Sequence, residues 1–154
     1  MTTPASQLSV YEKIVIDAPA GKVWEKIRNF DALQDWLPPI AESPADKGNT
    51  PGSVRRIKIQ GGGAVDETLV SHDETRMQYS YTAADGSALP VSGYMSTIRV
   101  SPQGQQSLVE WRGEFHRADR SDNPADDQND ETAVAAVTGI YQGGLAALKK
   151  LVEG

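Results

Sequence analysis

The sequence predicts one α+β domain, an antiparallel sheet of six to seven strands packed against a long C-terminal helix. Three observations carry this. Short β-branched or alternating runs dominate from Leu8 to His116, the longest apolar stripe of helical period lies at the C-terminus, and one polar, acidic connection separates the two. At 154 residues the chain has the size of a single domain that buries roughly 70% of its unfolded surface. Residues 1–154 are therefore read as one unit, with residues 1–7 as a flexible tail.

The first strand is Leu8 to Ile16, rich in β-branched residues, and Pro19 then suits the first turn of a helix. Val23, Trp24 and Ile27 recur at helical spacing over Ala20 to Arg28, and a second short helix is predicted over Asp31 to Leu37, stopped by Pro38 and Pro39. A meander follows in the runs Ser53 to Ile59, Val65 to Ser71, Arg76 to Thr82, Gly93 to Val100 and Ser107 to His116, each bounded by Gly, Pro, Asp or Asn. The last run places Val109, Trp111 and Phe115 on one face and Glu110, Arg112, Glu114 and His116 on the other. Ala118 to Glu131 reads as a solvated loop that caps the next helix and places acids at its positive end. From Asp130 to Val152 the residues Val134, Val137, Tyr141, Leu145, Leu148 and Val152 fall on one helical stripe. Ala133, Ala136, Gly144 and Ala147 flank it; such small residues serve either close packing or room for a ligand.

Composition closes several routes. Cysteine is absent, which excludes disulfides, thiolate metal sites and a cysteine nucleophile. A net charge of -6 repels a phosphate backbone, so no nucleic-acid partner is expected. No segment approaches the roughly 18 apolar residues of a membrane span. Met1 to Ser9 lacks the basic start and apolar middle of an export signal, and a cytoplasmic location is expected. The two histidines, His72 and His116, have no second ligand at metal spacing, and the acidic loop misses calcium-loop spacing, so no metal and no cofactor are expected. Gly61 to Gly63 leads into a strand rather than a helix; it reads as a turn and mobile lid, not a phosphate cradle.

Glu67 is the candidate catalytic residue, since its phase with Val65 and Leu69 turns its carboxyl toward whatever those two face. In an apolar cavity such a carboxyl is raised in pKa and serves as acid, base or hydrogen-bond acceptor; pairing with Arg55 or Arg56 is the plain alternative. Tyr79, Tyr81, Tyr94 and Ser96 offer hydroxyl tips on apolar bodies, Trp111 and Phe115 a floor, and Trp36 a mouth, although core packing suits all of them as well. On this reading Glu67→Gln retunes binding at a stability cost within about 1 kcal/mol, and Gly144→Leu fills the pocket.

The stretches APAGKVWEKIRNFDALQDWLPPI (Ala18 to Ile40), GSVRRIKIQGGGAVDETLVSHDE (Gly52 to Glu74), LPVSGYMSTIRV (Leu89 to Val100), LVEWRGEF (Leu108 to Phe115) and GIYQGGLAALKKL (Gly139 to Leu151) stand in helix-grip order. Through them the chain resembles the START and birch-pollen-allergen superfamily, also called SRPBCC, in its bacterial polyketide cyclase/dehydrase-type branch near the plant abscisic-acid-receptor-like subgroup. The resemblance implies a cavity between sheet and helix, lined by Ile57, Ile59, Glu67, Tyr94, Ser96, Ile140 and Gly144, with Leu69, Leu148 and the aromatic residues above completing the candidate site. Gly61 to Gly63 and Leu89 to Val91 resemble the receptors' gate and latch, but their signature residues are replaced and the carboxylate-binding lysine has no counterpart near Trp36 and Leu37. It implies a pocket, not a hormone receptor. The leading expectation is a carrier or sensor for a small hydrophobic, polyketide- or lipid-like metabolite, acting as monomer or homodimer. A cyclase or dehydratase using Glu67 and tyrosine hydroxyls, and a ligand-free interaction protein such as a chaperone activator, are the alternatives.

Overall fold

The computed structural model describes residues 6–154, so residues 1–5 of the expected flexible tail over residues 1–7 lie outside the described residues. The strands are β1 (Leu8–Ile16), β2 (Ile40–Glu42), β3 (Val54–Ile59), β4 (Ala64–Asp73), β5 (Gln78–Ala83), β6 (Val91–Gln103) and β7 (Gln106–Arg117), and the helices are α1 (Ala20–Ile27) and α2 (Asp130–Glu153). They form one antiparallel seven-stranded sheet in the order β1-β7-β6-β5-β4-β3-β2. β1 thus pairs with the last strand of the meander, Ile14 opposite Val109, and bridges the two ends of the chain. Register shifts in β4 between Leu69 and Ser71 and in β6 between Ser92 and Met95 mark bulges, the usual device for bending a sheet. Gly93 sits in the second with φ +56, a left-handed conformation that favours glycine, and a Cβ there would have to displace the Arg120 guanidinium, which would lie 2.7 Å away.

Two predicted elements change and one strand is added. The expected helix over Asp31 to Leu37 is a single 3-10 turn, Leu33–Asp35, because a segment this short, closed by Pro38 and Pro39, cannot support helix nucleation. The turn is held by Ser43 Oγ, which accepts from Leu33 N at 3.1 Å. The next residues, Ile40–Glu42, form β2, an edge strand too short to leave a period in the sequence. β5 starts at Gln78 rather than Arg76, since residues 74–77 turn through Met77 at φ 54.

α2 begins as its sequence requires. Asn129 Oδ1 accepts from Thr132 N at 2.8 Å, and Asp130 and Glu131 stand in the first turn at the positive end of the helix dipole. Val137, Tyr141, Leu145 and Leu148 are buried as the stripe demands, with Ala133 and Gly144 beside them, while Val134 and Val152 are only half-buried.

α1 is fastened across the sheet by Glu74, which accepts from Trp24 Nε1 at 2.6 Å and pairs with Arg28 Nη2 at 2.8 Å. The Arg28 hydrogen bonds, assisted by Trp24, hold the Glu74 carboxyl below its ordinary value. A lowered folded pKa stabilises the fold above the unfolded carboxyl range, and this contribution disappears as pH falls through the folded value. Comparing wild type with Glu74→Gln by denaturant unfolding should show the neutral-to-acid loss of stability reduced by about 0.5 kcal/mol, a small effect because this pair is solvent-screened.

Candidate functional site

Between the inner sheet face, the Leu33 to Ile40 segment and α2 lies a cavity of about 390 Å³. Leu33, Leu37, Ile57, Val65, Tyr81, Tyr94 and Trp111 form its buried apolar wall. Pro38, Pro39, Gly139 and Gly143 are exposed, and Ile59, Leu89 and Ile140 half-buried, so the mouth is apolar too.

Of the predicted site residues, Ile57, Ile59, Glu67, Tyr81, Tyr94, Trp111, Ile140 and Gly144 stand on this wall. Trp36, Leu69, Tyr79, Ser96, Phe115 and Leu148 do not. Strand alternation places most of these on the inner face correctly, but that face is longer than the cavity. Beyond Tyr81 it is filled by Phe30, edge-on to Tyr79 at 6.0 Å, and by Trp24, 6.2 Å from Tyr79; buried Leu69 shares that end of the sheet. Phe115 backs Tyr94 at 6.0 Å, Trp36 lies against Trp111 at 5.4 Å, Ser96 bonds Trp111 from behind, and Leu148 is buried one turn beyond Gly144. The Gly61 to Gly63 run forms the expected turn. Gly61, Gly62 and Gly63 take φ of +88, +120 and +101 in a turn, and the wall beside them is Ile59 and Leu89. That rim is strapped together by Gln60 N donating to Pro39 O at 2.8 Å and Ala88 N donating to Ala64 O at 3.2 Å.

Among the wall residues that the sequence reading did not place there, which include Leu33, Leu37 and Ile40, Arg55 is the charged one. It shares its strand phase with Ile57 and Ile59, a signal that alternation alone could have supplied, and the register of the β3–β4 ladder sets it directly across from Glu67. Glu67 Oε1 accepts from Arg55 Nε at 2.8 Å and pairs with Nη2 at 2.6 Å, while Arg55 Nη1 donates to Phe30 O at 3.1 Å. The guanidinium lies 4.1 Å from the Phe30 ring centre and 4.8 Å from that of Tyr81. Burial pushes the Glu67 carboxyl up, against the charge and hydrogen bond of Arg55. Burial alone would lower Arg55, yet the Glu67 carboxylate, the neighbouring phenols and the hydrogen bond more than offset it and keep it a cation.

A second polar group lies behind the wall. Ser96 Oγ donates to Arg112 O at 3.0 Å, so Tyr141, 2.8 Å away, must donate to Ser96, and Tyr94, 2.5 Å from Tyr141, must donate to Tyr141. Trp111 Nε1 donates to both Ser96 Oγ at 3.0 Å and Tyr81 Oη at 3.1 Å. Trp111 is also stacked on Tyr141 at 4.3 Å. Gly113 makes room for this arrangement, because a Cβ there would overlap the Tyr141 hydroxyl. Burial pushes the Tyr81, Tyr94 and Tyr141 phenols above their ordinary value, so they act as neutral hydrogen-bonding groups rather than bases.

The sequence model of the family described as polyketide cyclase / dehydrase and lipid transport matches residues 7–153. The chain belongs to this family. Among solved structures, an uncharacterized protein from Bacillus thuringiensis is similar at 30% identity with a TM-score of 0.80, covering 96% of this chain and 100% of that one. The protein XoxI from Bacillus cereus is similar at 30% identity and a TM-score of 0.79, covering 94% and 95%. The Zhui aromatase/cyclase from Streptomyces shares the fold at 15% identity, with a TM-score of 0.75 over 96% and 94% of the chains. No curated protein matches by sequence. The helix-grip architecture expected of this family is thus present. Among the described residues no helix is long and apolar enough to cross a membrane, and no cluster of His, Asp or Glu could hold a metal ion.

Proposed function

We propose that the protein binds a small, mostly apolar molecule in the cavity between sheet and α2, as a carrier or sensor. The observation that carries this reading is the roughly 390 Å³ of space lined mostly by apolar side chains. Such a volume lies within the ordinary range of small-molecule sites, and the few polar groups on its wall match their usual makeup. The family description, which includes lipid transport, supports the same class of occupant. A cyclase or dehydratase would have to take its base from Glu67, whose Oε1 is already bound by Arg55, and its phenols are held protonated by burial.

The test is native mass spectrometry of the protein isolated from its own cells, with and without Ile140→Trp. Ile140 is half-buried at the mouth, so the larger ring should enter the cavity and reduce the co-purifying mass at least about tenfold, with stability within about 1.5 kcal/mol of wild type. A bound molecule retained undiminished by Ile140→Trp would refute the assignment of the cavity.

A further inference from the structure

We infer that the cavity selects a neutral molecule bearing a hydroxyl group on an apolar frame, the hydroxyl accepting from Tyr81 O–H and donating to Glu67 Oε2; this rests on the binding function proposed above. The argument is a count of protons and lone pairs. Within the buried network the protons of Ser96, Tyr141, Tyr94 and Trp111 are all committed to acceptors. Tyr81 accepts from Trp111, but its own hydroxyl proton has no acceptor among the described residues. On the ion pair, Glu67 Oε1 takes both the hydrogen bond from Arg55 Nε and the contact with Nη2, and among the described residues no hydrogen bond falls on Oε2. One donor and one acceptor therefore remain on the wall. Both belong to the same end of the cavity, since the Arg55 guanidinium that binds Glu67 also lies 4.8 Å from the Tyr81 ring centre.

A single hydroxyl answers both vacancies, because it donates once and accepts through two lone pairs. An anion does not. The more accessible charge of the pair is the carboxylate, with Glu67 5% exposed against 1% for Arg55, and the guanidinium lies against the Phe30 and Tyr81 rings. An ammonium fares no better, since the carboxylate it would seek is already neutralised by Arg55.

The experiment is calorimetric titration at neutral pH with four probes on one ring frame, substituted at the same position: naphthol, methoxynaphthalene, naphthalene and naphthoate. Naphthol should bind about tenfold or more tightly than methoxynaphthalene or naphthalene, and naphthoate most weakly. In Tyr81→Phe the naphthol affinity should fall about tenfold while that of naphthalene stays unchanged. Naphthoate binding tightest would overturn the inference and make Arg55 an anion clamp. Equal affinity for naphthol and naphthalene would overturn it while leaving the apolar cavity standing. No binding of any probe would defeat the cavity reading and this inference together. Should Tyr81→Phe fail to fold, the ranking of the four probes on the wild-type protein still decides the matter.

Discussion

Glu67→Leu will lower the free energy of unfolding by about 3–5 kcal/mol, and Arg55→Met will do the same, whereas the double variant will stand within about 2 kcal/mol of wild type or above it. Removal of one partner leaves the other charge inside the protein, where Arg55 is 1% and Glu67 5% exposed. Removal of both restores an apolar wall of similar volume. Denaturant unfolding of the four proteins gives the coupling directly, and single variants that each cost less than about 1 kcal/mol would show that the pair is not desolvated. The same reasoning corrects the sequence-based expectation for Glu67→Gln. An amide can still accept a hydrogen bond from Arg55 but cannot neutralise it, so its cost will exceed the 1 kcal/mol expected of an unpaired carboxyl, approaching about 3 kcal/mol.

Gly144→Leu will destabilise by about 1–3 kcal/mol, while Gly143→Ala one residue away will stabilise by about 0.5–1 kcal/mol. Both glycines line the cavity on the same helix, but their surroundings differ. At Gly144 even a Cβ would lie 2.7 Å from Leu37 Cδ1 and 2.9 Å from Trp111 Cζ3; the leucine tip can swing aside, but the indole is stacked on Tyr141 and hydrogen-bonded to Tyr81 and Ser96. At Gly143 nothing lies within 4 Å, so alanine gains helix propensity without a clash. Thermal unfolding of the two variants should therefore shift in opposite directions. A stabilised Gly144→Leu protein would mean that Trp111 is free to move. The small-residue flank of α2 is thus explained by packing at Gly144 and by open space at Gly143, and binding lost in Gly144→Leu would not separate a filled pocket from a displaced Trp111. Ile140→Trp avoids that ambiguity because its side chain starts at the mouth.

Much of the architecture was legible because its signals are local. A strand shows in residues two apart, as in Val109, Trp111 and Phe115, and a helix in residues three and four apart, as in Val137, Tyr141 and Leu145; both periods follow from backbone geometry and survive without knowledge of the rest of the chain. The shortest pieces failed for the same reason: the turn at Leu33–Asp35 and the edge strand Ile40–Glu42 are too brief to show a period. Alternation also put Glu67, Tyr81, Tyr94 and Trp111 on the inner face.

What the sequence by itself determined is therefore which residues face inward and in what order the elements run. Only the tertiary structure decided where the inner face is filled and where it is empty, since that depends on Phe30 and α1 occupying one end while Leu33, Leu37 and the glycines of α2 leave the other open. It also settled that the neighbour of Glu67 is Arg55 rather than Arg56, which pairs with Asp66 on the outside. A one-residue difference in register reverses the face of every side chain, and register is set by the whole sheet rather than by any one strand.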